Sequence, residues 1–133
     1  MPFKVLLVDD EAVIVGLAQA TLAIDDRYDI LTATDGEQAL AMCREHKPDL
    51  VYLDLLMPRK NGIEVCRELR ESPEFDGTKI VMLTAMSQES DRVRAFKVGA
   101  DDFITKPFSP QALLDKTREL LIDDGVHAGH QSR

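Results

Sequence analysis

Phe3-Lys4-Val5-Leu6-Leu7-Val8-Asp9-Asp10-Glu11 passes from an apolar run straight into three acids, and a second stretch, Leu50-Val51-Tyr52-Leu53-Asp54, ends the same way. Near-continuous apolar runs of this length suit strands covered on both faces in a parallel sheet. Asp9, Asp10 and Asp54 stand where two such strands run out, which places them at a crevice on the sheet's edge and predicts that their carboxylates meet. At about 5 Å apart, each pair repels by roughly 3 kcal/mol at an effective dielectric near 20. Such a cluster calls for a cation. Mg²⁺ suits these oxygen ligands, with Mn²⁺ as a substitute, and Lys106 is a second candidate for balancing the charge.

Around these stretches, apolar and amphipathic segments alternate five times. The pattern predicts strands over 3–8, Tyr28–Ala33, 49–53, Lys79–Leu83 and Asp102–Thr105. Helices are expected over 11–24, 36–46, 63–71, 89–98 and 109–121. Five β-α units in sequence make a doubly wound α/β sandwich with right-handed crossovers. The punctuation agrees: Asp35-Gly36 opens the second helix, Asn61-Gly62 precedes the third, Gly99 ends the fourth, and Ser109-Pro110 joins an N-cap to a first-turn proline. On this map Asp9, Asp10, Asp54, Thr84 and Lys106 all fall at carboxyl ends of strands, where open α/β sheets bind ligands.

The 133 residues are one domain's length, and 44% hydrophobic with 30% charged residues is ordinary for a globular chain. A formal charge of −8 argues against direct nucleic-acid binding by this chain, since phosphate contacts need a basic face. The sequence contains neither a long apolar stretch of membrane-spanning length nor a signal-peptide pattern at its start, so a cytoplasmic location is expected. Cys43 and Cys66 lie on separate predicted helices and read as buried reduced thiols. After Leu121 the chain turns polar. Residues 1–122 are read as the domain and 123–133 as a polar tail or the start of a linker, with His127 and His130 as tail residues rather than metal ligands. His46 is expected to partner a helix dipole, and the charges from Arg67 to Glu71 to form the solvated face of the third helix.

A carboxylate beside Mg²⁺ and a lysine can attack phosphorus and become an acyl phosphate, while the hydroxyl of Thr84 can hydrogen-bond a phosphoryl oxygen once it arrives. At this point the motifs themselves carry a resemblance. Asp9-Asp10-Glu11, Asp54-Leu55-Leu56-Met57-Pro58-Arg59-Lys60-Asn61-Gly62, Leu83-Thr84-Ala85 and Gly99-Ala100-Asp101-Asp102-Phe103-Ile104-Thr105-Lys106-Pro107-Phe108, in that order, resemble the receiver domain of two-component response regulators. The resemblance spans roughly residues 3 to 121.

It implies a flavodoxin-like (βα)5 sandwich with strand order 2-1-3-4-5, acting as a phosphorelay receiver rather than as an enzyme on an external substrate. Asp54 is then the phosphoacceptor, supplied by a histidine kinase or a histidine phosphotransfer protein. Asp10, Asp54 and the backbone carbonyl of Leu56 hold Mg²⁺ directly, and Asp9 does so through water. Lys106, ahead of a cis bond to Pro107, holds a phosphoryl oxygen. Thr84 and Phe103 are the switch residues, and the output is altered binding to a downstream protein target or effector domain, or altered oligomerisation.

Leu56 and Met86 occupy the positions that tune dephosphorylation in such proteins. Both are apolar, so neither orients an attacking water, and a long-lived acyl phosphate is expected. Arg92, Asp101, Asp102 and Lys116 are candidates for cross-interface ion pairs in a phosphorylation-dependent homodimer, although Ala112 stands where dimerising relatives carry an acid. Other functions fit less well. A haloacid-dehalogenase-type phosphohydrolase needs a second acid where Leu56 stands, a flavodoxin-like carrier needs a hydroxyl- and glycine-rich first loop, and a pseudo-receiver would not need the intact acid, threonine and lysine set.

Overall fold

Side chains along the three central strands alternate between two separate cores, and that alternation sets the architecture. The computed structural model describes residues 2–55, 57, 59–85 and 89–123. Five strands, β1 (Phe3–Val8), β2 (Tyr28–Ala33), β3 (Leu50–Asp54), β4 (Lys79–Thr84) and β5 (Asp102–Thr105), form a parallel sheet in the order β2-β1-β3-β4-β5. The helices are α1 (Ala12–Leu22), α2 (Gly36–His46), α3 (Gly62–Arg70), α4 (Glu89–Lys97) and α5 (Pro110–Arg118). The doubly wound, flavodoxin-like sandwich expected from the sequence is therefore the fold.

Leu6, Val8, Val51, Leu53, Ile80 and Met82 point to one face, where Leu40, Cys43, Val65, Cys66 and Leu69 of α2 and α3 cover them together with Ala95 of α4. Their strand neighbours Val5, Leu7, Leu50, Tyr52, Val81 and Leu83 point to the other, beneath Ala18 and Leu22 of α1 and Leu113 and Leu114 of α5. This two-residue period with both faces covered is why the strands read as unbroken apolar runs. Each fully buried leucine contributes about 1.5–3 kcal/mol of transfer free energy. A buried polar pair in the α1/α5 core is satisfied: the Thr117 hydroxyl donates to the Leu113 carbonyl (2.8 Å), so the Tyr52 hydroxyl, 2.6 Å away, donates to Thr117.

Element ends differ from expectation by a residue or two, for local reasons. Asp54 and Thr84 are the last residues of β3 and β4 rather than the first beyond them, because each still pairs, with Leu83 and Thr105 respectively. Helix α1 stops at Leu22, where the next N–H groups turn to tighter bonds such as Ile24 to Thr21 and Asp25 to Leu22. The last helix changes to a π-helical turn over Glu119–Asp123. Arg70 corrects the reading of Arg67 to Glu71 as wholly solvated. It donates to the carbonyls of Gly99 (2.9 Å) and Phe75 (2.8 Å) and to Asp101 (2.9 Å), tying the end of α3 to the approach to β5. Residues 124–133, including His127 and His130, lie outside the described residues, and so do Leu56 and Met86. Among the described residues no helix is long and apolar enough to cross a membrane.

Candidate functional site

Strand order reverses between β1 and β3, and the chain opens a crevice at their carboxyl ends. Asp9 follows β1, with its N–H still bonded to the Ala33 carbonyl of β2 (3.2 Å), while its Oδ1 accepts from the Glu11 N–H (2.9 Å). Asp54 ends β3. Its position is braced by the start of α3, where Asn61 and Glu64 form a reciprocal capping box and the Gly62 N–H bonds the Leu55 carbonyl (3.0 Å). Only a glycine fits at 62: a Cβ there would lie 2.5 Å from the carbonyl oxygen of Asp54. Gly36, at the start of α2, is pressed as closely against Lys60 of the same loop, with a Cβ 2.0 Å from the Lys60 carbonyl oxygen. Two helix N-termini thus hold the loop that follows Asp54.

On the other side, the Lys106 N–H bonds the Thr84 carbonyl at 2.7 Å, extending the β4–β5 ladder to the pocket, and the peptide bond from Lys106 to Pro107 is cis. Asp10, Glu11, Asp54, Leu55, Thr84, Ala85 and Lys106 line a cavity of about 240 Å³. The structure therefore gathers Asp9, Asp10, Asp54, Thr84 and Lys106, read from the sequence as strand-end residues, into one site.

One carboxylate oxygen from each of Asp9, Asp10 and Asp54 can be chosen so that all three lie within 4.8 Å of one another. At an effective dielectric near 20 each pair then repels by roughly 3.5 kcal/mol. Lys106 answers part of this charge, with Nζ 2.7 Å from Asp9, 3.3 Å from Glu11 and 3.5 Å from Asp54. Burial disfavours its ammonium, but the neighbouring carboxylates of Asp9, Asp54 and Glu11 outweigh that, and its pKa is raised above the ordinary lysine value. Four acids to one lysine still leave the pocket strongly negative. Asp9 Oδ2 is buried and makes no aligned hydrogen bond despite its closeness to Lys106, so it retains accepting capacity inside the cluster. An all-oxygen, partly buried donor set of this kind fits a hard divalent cation.

Phe103 sits apart from the pocket, half-buried against the α2/α3 core. Phe96 meets its ring edge-on at 6.1 Å, and the Arg92 guanidinium lies over its face at 4.5 Å. Residues considered for a dimer face are engaged within the chain: Asp101 by Arg70 and by the Ile80 N–H (2.7 Å), Asp102 by Lys116, and Arg92 by Phe103 and Glu89. Sequence reasoning missed Glu11 as a partner of Lys106 and Arg92 as the lid on Phe103. Neither pairing has a local signal: Glu11 and Lys106 lie 95 residues apart, and Arg92 meets Phe103 only once α4 packs back over β5.

A parallel sheet of this order, with acids, a hydroxyl and a lysine converging beyond its strand ends, defines the CheY-like class of α/β domain. The chemotaxis response regulator CheY4 of Vibrio cholerae superposes with a TM-score of 0.85 at 33% identity, covering 91% of this chain and 100% of that one. The BeF3-activated DrrB receiver domain gives 0.81 at 33% identity, with 91% and 98% covered. Within that class, the chain belongs to the response regulator receiver domain family, which it matches over residues 5–118. It is 45% identical over 118 residues to the alkaline phosphatase synthesis transcriptional regulatory protein PhoP of Bacillus subtilis, and equally to the transcriptional regulatory protein ResD of the same organism. The match takes in 89% of this chain and 48% of each relative, so the chain spans about half the length of these relatives.

Proposed function

We propose that the domain, residues 1–122, accepts a phosphoryl group on Asp54 from a phosphohistidine donor, with Mg²⁺, and so switches its binding to a downstream partner. The observation that carries this reading is the meeting of the Asp9, Asp10 and Asp54 carboxylates within 4.8 Å, with the Lys106 ammonium 3.5 Å from Asp54. An Asp54 oxygen attacks phosphorus, the P–N bond to the donor imidazole breaks, and the leaving nitrogen keeps the electron pair and takes up a proton. Lys106 holds a phosphoryl oxygen as charge shifts onto it, and Thr84, buried at the end of β4, offers its hydroxyl to a second one. Asp10 and Asp54, with the Leu56 carbonyl, would hold Mg²⁺, and Asp9 would do so through water. When bound, the ion neutralises phosphoryl oxygens that the acids would otherwise repel.

The donor would be a histidine kinase or a histidine phosphotransfer protein. Exposed Val13 and Leu17 on α1, close in sequence to Asp10 and Glu11, suit an apolar docking partner. The chain acts only on its own acyl phosphate, works in the cytoplasm, and leaves any contact with nucleic acid to a partner or another domain, in keeping with its charge of −8. Residues 123–133 serve as a tail or linker. Apolar Leu56 and Met86 are expected to let the acyl phosphate persist; decay within seconds in Mg²⁺ contradicts that.

Incubation with acetyl phosphate and Mg²⁺, followed by intact mass measurement, tests the reading. One phosphoryl group per chain is expected, none without a divalent cation, and none in Asp54→Asn. Continuous release of phosphate over many equivalents would instead indicate a phosphatase.

A further inference from the structure

Glu11 occupies the N-cap of α1 with extended backbone (φ −95°, ψ 109°), yet its side chain makes no hydrogen bond to the helix. Short acceptors such as Ser, Thr, Asp and Asn are favoured at this position because they reach the first unpaired N–H groups, and Glu is not among them. Its carboxylate instead crosses the mouth of the pocket to Lys106, 95 residues along the chain, where Oε1 lies 3.3 Å from Nζ. The backbone beneath it is fixed by the bond from its own N–H to Asp9.

An ammonium has three donors and no acceptor. Lys106, whose side chain is 11% exposed, faces three carboxylates, those of Asp9, Glu11 and Asp54. A phosphoryl oxygen that reaches Nζ competes with them for its donors, and Glu11 accepts one of these in an aligned hydrogen bond. Asp9 is 1% exposed and would be left as a buried charge, and Asp54 is the attacking group itself. The Glu11 side chain is 63% exposed and can turn into water, where its charge is solvated.

We infer that Glu11 is a latch on Lys106, a positioning residue that engages the lysine in the resting state and must release it before the lysine can hold the phosphoryl group. This rests on the reading of Asp54 as the phosphoacceptor. Release slows the acceptance of phosphate, and the length of the Glu11 side chain, as well as its charge, sets by how much.

Glu11→Asp separates the two properties. It keeps the charge, is too short by one methylene to reach Nζ, and supplies a favoured N-cap. With acetyl phosphate at saturating Mg²⁺, the full chain carrying Glu11→Asp is expected to form acyl phosphate roughly two- to fivefold faster, the range that releasing an exposed ion pair allows. Its thermal midpoint should rise, and Glu11→Gln should also accelerate uptake. Acceleration by Glu11→Gln alone would overturn the latch in favour of a through-space charge effect. A Glu11→Asp rate equal to or below that of the wild type overturns it outright, and a fall in midpoint at that unchanged rate assigns Glu11 a purely structural role. If the wild-type chain takes up no phosphoryl group, the phosphoacceptor reading fails as well; if it loads normally and Glu11→Asp does not differ, only the latch fails.

Discussion

Cys43 and Cys66 show how far burial alone can move a group. Removal from water pushes the Cys43 thiol from an ordinary value of 9.0 up to about 12 and the Cys66 thiol up to about 11, the latter against a small opposing pull from Arg70. Both groups therefore stay protonated in the native protein while the unfolded chain begins to ionise. The sign follows: their contribution to stability is complete below the unfolded thiol value and is lost as pH rises from about 9 towards the raised native values. Melting curves between about pH 8 and pH 11 should fall more steeply for the wild type than for a Cys43→Ala, Cys66→Ala variant. Native protein should resist thiol reagents that label both cysteines once it is unfolded; rapid native labelling contradicts the burial argument. The sequence made this pair legible, since both lie on the apolar stripe of an amphipathic helix. It did not reveal that the Glu11 carboxylate meets Lys106, because nothing local records a contact across the pocket mouth.

Helix starts do the positioning around Asp54. Asn61 and Glu64 close the first turn of α3 reciprocally, and Asn61→Ala should cost about 1 kcal/mol. For a domain of this size that lowers the thermal midpoint by about 3–6 °C. Gly62→Ala should cost more, about 1–3 kcal/mol of overpacking, because its Cβ meets the Asp54 carbonyl, which is backbone and cannot swing aside. It should also slow phosphoryl uptake through the displaced Asp54, whereas Asn61→Ala should leave that rate nearly unchanged. Equal stability of Gly62→Ala and wild type would contradict the close approach. Asn61-Gly62 was readable as a helix start, yet its second duty, to let a helix abut the strand end, appears only when β3 and α3 are placed together. Arg70 is similar: its composition reads as solvated charge, and only the fold brings Phe75, Gly99 and Asp101 to its guanidinium.

Across the whole molecule, the period-two cores and the reversal of strand order at β1 and β3 put every strand-end acid on one rim, which is why fold and pocket were legible together from two apolar runs. The output face is less legible. Asp102 pairs with Lys116, Arg92 lies over Phe103 and beside Glu89, Asp101 is held by Arg70, and Ala112 adds no acid. A dimer on that face would exchange one set of partly exposed ion pairs for another, at little net gain. Sedimentation of the beryllofluoride-treated chain is accordingly expected to show monomer at low micromolar concentration, and a stable dimer there would contradict this account of the face. Most directly, the rim of acids predicts that Asp54 is the residue that takes up a phosphoryl group. Borohydride reduction of the acetyl phosphate-treated chain converts an aspartyl phosphate to homoserine, and peptide mapping should find that conversion at Asp54 alone, dependent on Mg²⁺; conversion at another aspartate, or at none, would contradict it.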